Sequence, residues 1–162
     1  MLSKNSCKAL NRHLIEILGY AYTYLNLSAR LDSFRIPGAA RWMRNRSVDE
    51  LKRASKLMDF LSCHGHNVVF DTLNKPAGRR FRGPEDVFSA ALKQEMSAAA
   101  RIRELSDLAV TENDFQTFHL LSGFAAGQAA AERKLRTMTD KFRIAGNSAR
   151  ARDFLDSHFR NP

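Results

Sequence analysis

The sequence predicts an all-α four-helix bundle with one long crossover and a short fifth helix at its C-terminal end. The 162 residues include only 8 Gly and 4 Pro, so helix breakers are scarce. Apolar residues recur at alternating spacings of three and four in four long stretches, which is typical of helices that bury one face. One long stretch, 66–83, has no such period. Two antiparallel helix pairs joined by a crossover explain this arrangement.

The first helix pair is predicted at 4–35 and 39–64, with a break at Pro37 and Gly38. The buried face of the first helix comprises Leu10, Leu14, Ile17, Ala21, Tyr24, Ser28 and Leu31. The buried face of the second comprises Met43, Ser47, Glu50, Ala54, Leu57 and Leu61. A helix of about 25 residues is about 38 Å long, so the two are expected to pair along their length. Gly65 is a natural C-terminal cap for the second.

The crossover is predicted at 66–83, and its length suits a link between two helices that run in the same direction. Pro84 is favourable at the first position of a helix over 84–111, and Asn113 or Asp114 can cap a helix over 114–145. The buried faces are Phe88, Ala91, Glu95, Ala98, Ile102, Leu105 and Ala109, then Leu121, Phe124, Gln128, Ala131, Leu135, Met138 and Phe142. A short basic amphipathic helix over 149–159 completes the single domain.

Composition restricts the environment and the partners of the chain. The net charge is +9, which allows polyanionic partners but also serves solubility. Cys7 and Cys63 are the only cysteines, so no disulfide framework is expected and a reducing cytosol is favoured. The longest uncharged run, 17–29, is too short to span a membrane. We therefore expect a soluble cytoplasmic protein with no membrane partner.

Polar residues lie about half-way along the predicted bundle, on helix faces that should be apolar. The four faces carry Ile17, Glu50, Glu95 and Gln128 at this level. An unpaired buried charge costs several kcal/mol, so these residues are either metal ligands or members of a satisfied polar network. Glu50-x-x-Arg53 has the spacing at which a carboxylate and a histidine supply metal ligands from one helix. A guanidinium cannot ligate a cation, and Arg53 is instead expected to pair with Glu50, Glu95 or both.

Short motifs along nearly the whole chain carry a family resemblance. They are Met1-Leu2-Ser3-Lys4-Asn5, Leu10-Asn11, Ala21, Tyr24-Leu25, Ser28-Ala29, Gly38-Ala39-Ala40, Asp59-Phe60-Leu61, Thr117-Phe118, Asp140-Lys141 and Ala145-Gly146. On these residues the chain resembles bacterial non-haem ferritin subunits, which have a ferritin-like bundle. The resemblance implies a homo-oligomeric hollow shell, expected to contain twenty-four subunits, that stores iron.

The same resemblance implies a degenerate ferroxidase centre. The glutamate that the family has on helix one falls on Ile17, its histidine on Arg53, and its last glutamate on Ala131. Three ligand positions are kept, as Glu50, Glu95 and Gln128. At the family's third iron site Asp49 stands where a glutamate is usual, while Gly127 and Ala130 have lost theirs.

These positions imply that Glu50, Glu95, Gln128 and Asp49 are a vestigial metal site. Two iron ions need several carboxylates and imidazole to balance their charge, so rapid iron oxidation is not expected, and iron binds here weakly or not at all. Haem is not expected either, because Leu51 stands where related bacterioferritins have the haem-binding methionine. The enzyme assignment stays open and leans towards no enzyme.

Three functions follow as hypotheses. The first is iron storage without rapid oxidation, in which a ferroxidase-competent ferritin that co-assembles with this chain supplies oxidised iron. The second is a basic shell or scaffold that binds phosphate or nucleic acid, with iron incidental. The sequence has no aromatic interleaving or groove-reading motif for nucleic acid, so that partner is the less favoured one. Residual iron oxidation at Glu50, Glu95 and Gln128 ranks last.

Further candidate sites lie outside this layer. Cys63, His64 and His66 suggest a soft-metal cluster, with a helix cap as the favoured alternative. His119, near the start of the fourth helix, is expected at a subunit junction or without a role. The resemblance places Glu112 and Asp114 where ferritin-like shells open threefold channels, so they could guide cations, with capping of the helix as an equal alternative. In the fold that the chain resembles, one side of helix two lines the inner cavity, so the resemblance implies a basic wall from the residues Arg41, Arg44, Arg46, Lys52, Arg53 and Lys56. A second basic cluster in the crossover comprises Arg79, Arg80 and Arg82, expected on the exterior or at a dimer contact.

Overall fold

The computed structural model describes residues 2–76 and 80–160, and in this part of the chain every regular element is a helix. The helices are α1 (Lys4–Ser33), α2 (Pro37–Cys63), α3 (Pro84–Thr111), α4 (Phe115–Ala145) and α5 (Ala149–Arg160). The predicted all-α bundle with a short fifth helix is thereby confirmed. Residues 77–79 of the predicted crossover, among them Arg79, which is expected on the exterior or at a dimer contact, lie outside the described residues.

The turn between α1 and α2 begins and ends two residues earlier than predicted. Arg35 has a φ of 60°, in the left-handed region, and reverses the chain within three residues. Pro37 is the first residue of α2, two positions before the predicted start, because proline fixes the helical φ where no N–H is required. At the start of α4 the cap is Asp114, whose Oδ1 accepts the Thr117 N–H at 3.0 Å.

Within each pair the two helices run in opposite directions, with α1 antiparallel to α2 and α3 antiparallel to α4. The end of α2 therefore lies beside the start of α4, where His64 Nε2 is 2.7 Å from Gln116 Oε1. The crossover returns along α1 and is fixed there by two hydrogen bonds between the Asn11 amide and the backbone of Val69, of 2.8 and 2.9 Å. Helices α2 and α3 consequently run in the same direction, as the crossover length predicted.

The apolar core is divided into two groups by a polar layer. One group, near the α1–α2 turn, includes Tyr24, Leu27, Leu31, Ile36, Met43, Phe88, Leu135 and Phe142. The other, near the α3–α4 turn, includes Leu10, Leu14, Ile17, Leu57, Leu61, Ile102, Leu121 and Phe124. Glu50, Glu95 and Gln128 lie between them, each at most 3% exposed. The bundle therefore holds its charged groups where all four helices approach one another.

Helix α5 is anchored to the first turn of α2. The buried carboxylate of Asp156 accepts the backbone N–H groups of Gly38 at 3.1 Å and Ala39 at 2.8 Å. These are donors without partners in their own helix, and a carboxylate there is favoured by the helix dipole. A Cβ on Gly38 would lie 2.8 Å from Asp156 Oδ1, so glycine permits this close approach. None of the described helices is long and apolar enough to cross a membrane.

Candidate metal centre

The polar layer contains the residues selected from the sequence, with at least one from each long helix. Ile17, Glu50, Arg53 and Gln128 line one small cavity. Glu95 belongs to the same layer through a hydrogen bond from Gln128 Nε2 to its backbone oxygen, 3.4 Å long. Ala131 is buried at 6% exposure. The six positions that the resemblance assigns to the two-iron centre, kept or replaced, thus all lie inside the bundle.

Arg46 holds the two carboxylates together. Its Nη2 donates to Glu50 Oε1 at 3.0 Å and to Glu95 Oε1 at 2.9 Å, so a single guanidinium nitrogen bridges α2 and α3. The expectation that Arg46 lies on the inner cavity wall is wrong, because this residue is only 8% exposed. The signal for its place was present in the sequence, since Arg46 precedes Glu50 by four residues, one helical turn.

Arg53 takes the second position beside Glu50. Its Nη1 donates to Glu50 Oε1 at 3.0 Å and to Gln128 Oε1 at 3.3 Å. The structure thus contains the Arg53–Glu50 pair, whereas the contact to Glu95 belongs to Arg46. Arg53 Nη2 lies over Gly127, where an added Cβ would approach it to 2.9 Å. Glycine at 127 therefore makes room for the guanidinium.

Tyr24 completes the surroundings of Glu95. Its hydroxyl donates to Glu95 Oε1, and its ring lies 5.6 Å from the Arg46 guanidinium carbon. Arg46 Nε and Glu95 Oε2 are buried without a hydrogen-bond partner in the described chain. The Glu95 carboxylate therefore concentrates its contacts on one oxygen.

Asp49 lies at the edge of the layer. Its side chain is 49% exposed and faces Arg46 at 3.7 Å and Lys52 at 3.9 Å. A carboxylate with two cations beside it in solvent is already compensated. Among the selected metal-site residues, Asp49 is the one that the structure places outside the buried layer.

The charges of the buried layer balance without a metal ion, since two carboxylates face two guanidinium groups. Burial raises the pKa of Glu50 above its usual value, although Arg53 and Arg46 act in the opposite direction. Burial alone would lower the pKa of Arg46, but Glu95 and Tyr24 raise it overall. Arg46 therefore stays protonated at any pH at which the chain is folded, and Glu95 keeps a permanent cationic partner.

The donor set does not fit a two-iron centre. The cavity between the four helices has a volume of about 10 Å³, near the minimum for one water molecule. Among residues 2–76 and 80–160, no three His, Cys, Asp or Glu side chains converge as a metal-binding group. Guanidinium groups donate hydrogen bonds and offer no lone pair to a cation. The space around Glu50 and Glu95 is thus filled by arginine.

His13 is a residue of this layer that the sequence analysis missed. It is 1% exposed and lines the cavity with Glu50 and Gln128. Its Nδ1 lies 3.1 Å from Glu16 Oε2, which also accepts from Arg101 Nε at 3.1 Å. Its position one turn before Ile17 on the apolar face was the available signal.

The remaining candidates are dispersed. His64 Nδ1 lies 2.7 Å from the Phe60 carbonyl, a helix-end contact, while Cys63 and His119 are exposed. Glu112 accepts hydrogen bonds from the hydroxyls of Ser3 and Ser6. The exposed basic residues of the two clusters, where described, are Arg41, Arg44, Lys52, Lys56, Arg80 and Arg82.

Comparison with known proteins agrees with this architecture. A family model of the ferritin-like domain, Ferritin, matches residues 7–145. A bacterial non-heme ferritin of Escherichia coli O6:H1 is 26% identical over 156 residues, covering 96% of this chain and 94% of that protein. A bacterial non-heme ferritin of Campylobacter jejuni is 25% identical over 161 residues, covering 99% of this chain and 96% of that protein.

A solved structure of an open pore ferritin from Archaeoglobus fulgidus superposes with a TM-score of 0.92. The two sequences are 30% identical, and the alignment covers 100% of this chain and 99% of the archaeal chain. The family match spans most of the chain, and the structural match spans all of it. The chain is a member of the ferritin-like domain family, and its resemblance to bacterial non-haem ferritins is confirmed.

Proposed function

We propose that this chain is a cytoplasmic subunit of a hollow iron-storage shell and lacks an intact ferroxidase centre. Family membership and the ferritin fold support storage. The observation that carries the loss of the centre is the Arg46 guanidinium, 3.0 Å from Glu50 and 2.9 Å from Glu95. Iron is the cargo of the shell in this proposal, and Glu50, Glu95, Gln128 and Asp49 are vestiges of an iron site.

Electrostatics supports this assignment. A ferrous ion near Glu50 would face Arg46 and Arg53 within a few ångströms, where like charges repel strongly because burial weakens solvent screening. Glu50 and Glu95 would also have to exchange their guanidinium partners for the metal. The replaced positions Ile17 and Ala131 offer no oxygen ligand in compensation. Oxidation by this chain alone is therefore slow.

The assembly belongs to the same proposal. The chain forms a homo-oligomeric shell of the twenty-four-subunit type, and a mixed shell with a ferroxidase-competent ferritin would supply ferric iron to it. Leu51 is 48% exposed and carries no atom that ligates haem iron, so the shell does not use haem at this position.

Stopped-flow mixing of the purified shell with ferrous iron in air tests the proposal. Absorbance of the ferric product should rise no faster than in buffer, and iron should enter the shell when a competent ferritin supplies the oxidation. A bacterial non-heme ferritin serves as the positive control. A rapid phase whose amplitude is stoichiometric with the number of chains would refute the proposal.

A basic scaffold remains the second candidate, because Arg41, Lys52 and Lys56 are exposed on α2. Such a surface would bind phosphate or nucleic acid through charge, and its affinity would fall steeply with salt. A gel shift with duplex DNA that persists at physiological salt would favour this function. The absence of a shift even at low salt would exclude nucleic acid.

A further inference from the structure

Lys134 on α4 lies over two aromatic rings where α2, α4 and α5 meet. Its Nζ is 5.5 Å from the centre of the Trp42 ring on α2 and 4.7 Å from the centre of the Phe159 ring on α5. The two rings also contact each other, with 5.9 Å between their centres. An ammonium group within about 6 Å of an aromatic ring is attracted by it. One positive charge therefore joins three helices.

Helix α5 depends on few contacts with the bundle. Of its 12 residues, Leu155 and Asp156 are buried, and Phe159 stacks on Phe88 of α3 with 5.6 Å between ring centres. A helix shorter than about 12–15 residues is marginal by itself in water. The attraction between Lys134 and Phe159 consequently carries a large share of what holds the end of α5 in place.

No carboxylate compensates the charge of Lys134. Glu132, two residues before it, pairs with Arg136 at 2.9 Å. Asp156 on α5 pairs with Arg160 at 3.1 Å. Within residues 2–76 and 80–160, Lys134 forms no salt bridge, so the aromatic rings are its partners.

The same surroundings make the Lys134 amine a nucleophile. Burial lowers the pKa of Lys134 below the usual 10.5 of a lysine, and no salt bridge within the described chain opposes this. A lower pKa leaves more of the free amine at neutral pH, and the free amine is the form that attacks carbonyl groups. The residue is only half-buried, so a small reagent can reach its side chain from solvent.

We propose that Lys134 is acylated on Nζ by an acyl phosphate and that this modification loosens α5 from the bundle. The amine lone pair attacks the carbonyl carbon, the bond from that carbon to the phosphate oxygen breaks, and phosphate leaves with the electron pair. The nitrogen then gives up a proton to water. An acyl phosphate is an anion, and the net charge of +9 attracts it to the chain.

The consequence for α5 follows from the charge of the product. The amide nitrogen is neutral, so the attraction to Trp42 and Phe159 is lost while the carboxylate of Asp156 still caps α2. Helix α5 therefore detaches more often without unfolding the rest of the chain. The inference goes beyond iron storage and does not depend on it.

Acetyl phosphate at limiting concentration, followed by peptide mass spectrometry of the assembled shell, tests the site. Lys134 should be acetylated faster than Lys141, a half-buried lysine of the same helix, and faster than the exposed Lys56. Acetylation of Lys134 no faster than that of either control would overturn the inference.

Hydrogen exchange tests the effect on α5. Lys134→Gln, which is neutral like the acylated side chain, should accelerate exchange in α5 about two- to thirtyfold, the range that loss of such cation–ring contacts gives. Lys141→Gln removes the same charge elsewhere on α4 and should leave exchange in α5 unchanged. Equal exchange in the two variants would refute the role of Lys134.

The two parts of the inference are joined by Lys134→Arg, which keeps the positive charge but is not acetylated. Exchange in α5 of this variant should match that of the unmodified chain. Treatment with acetyl phosphate should then accelerate exchange in α5 of the unmodified chain but not of Lys134→Arg. The same acceleration in both chains would show that other lysines cause it and would overturn the inference. The assay contains no iron, so its outcome is separate from that of the storage proposal.

Discussion

Arg46 on α2 and Glu95 on α3 form a buried ion pair 2.9 Å long at the centre of the bundle. Glu95 is 1% exposed and Arg46 8% exposed. Because a buried carboxylate without a partner is costly, the contact with Arg46 compensates the burial of Glu95. Removing the Arg46–Glu95 pair should therefore lower the free energy of unfolding before it changes any activity.

Arg46→Ala should lower the free energy of unfolding by about 3–5 kcal/mol, the usual cost of removing one partner of a buried pair. Denaturant titration of the shell or of its dissociated subunit measures this. Arg41→Ala, an exposed change on the same helix, should alter stability by no more than about 0.5 kcal/mol. Equal effects of the two variants would contradict the central role of Arg46.

Restoring the replaced ligands should not suffice while Arg46 remains. The triple variant Ile17→Glu, Arg53→His and Ala131→Glu still has a guanidinium between Glu50 and Glu95, so it should lack a rapid ferroxidase phase. Adding Arg46→Gln should create that phase in stopped-flow oxidation. A rapid phase in the triple variant would show that Arg46 is no barrier, and none in the quadruple variant would show that the positions were assigned wrongly.

Glu16 should make stability depend on pH in a defined direction. Its pKa in the folded chain lies below its usual 4.5, so the folded state favours the anion. Its contribution is present above pH 4.5 and is lost as the pH falls through the lower folded value. The unmodified chain should be more stable than Glu16→Gln near neutral pH, and this difference should shrink on acidification. Thermal unfolding of both chains from about pH 3 to about pH 7, which spans the usual pKa range of a glutamate, measures it. A constant difference would contradict the His13–Glu16–Arg101 arrangement.

Glu50 should show the opposite slope. Its pKa in the folded chain is raised above 4.5, so the folded state binds the proton more tightly than the unfolded one. Relative to Glu50→Gln, the unmodified chain should become less stable as the pH rises from 4.5 through the folded value. The same series of thermal unfolding curves compares the two variants. Slopes of the same sign would contradict the difference in burial between the two carboxylates.

Asp156→Ala should release α5 from the bundle. The carboxylate accepts two N–H groups at the start of α2, and loss of such a cap costs about 1–2 kcal/mol. Hydrogen exchange should accelerate in α5 and in the first turn of α2. Asp153→Ala, an exposed change on the same helix, should leave exchange unchanged, and similar acceleration in both would refute the anchor.

Much of the fold could be predicted from sequence because it depends on local periodicity. The spacing of apolar residues defined four helices, and the unpatterned crossover indicated which neighbours run in the same direction. Glu50, Glu95 and Gln128 were selected for the same reason, since each interrupts an apolar face. The contact between Arg53 and Glu50 also followed from spacing on one helix.

Tertiary structure alone decided how the selected charges are compensated. Arg46 lies at the edge of the apolar face of α2, where a long side chain can extend into solvent or reach inwards. Its partner Glu95 is on another helix, so the outcome depended on the separation of α2 and α3. The space above Gly127 and the cavity shared by His13 and Glu50 likewise arise only where helices meet. Periodicity reports which face of a helix is buried, but packing distances between helices determine which atoms bond there.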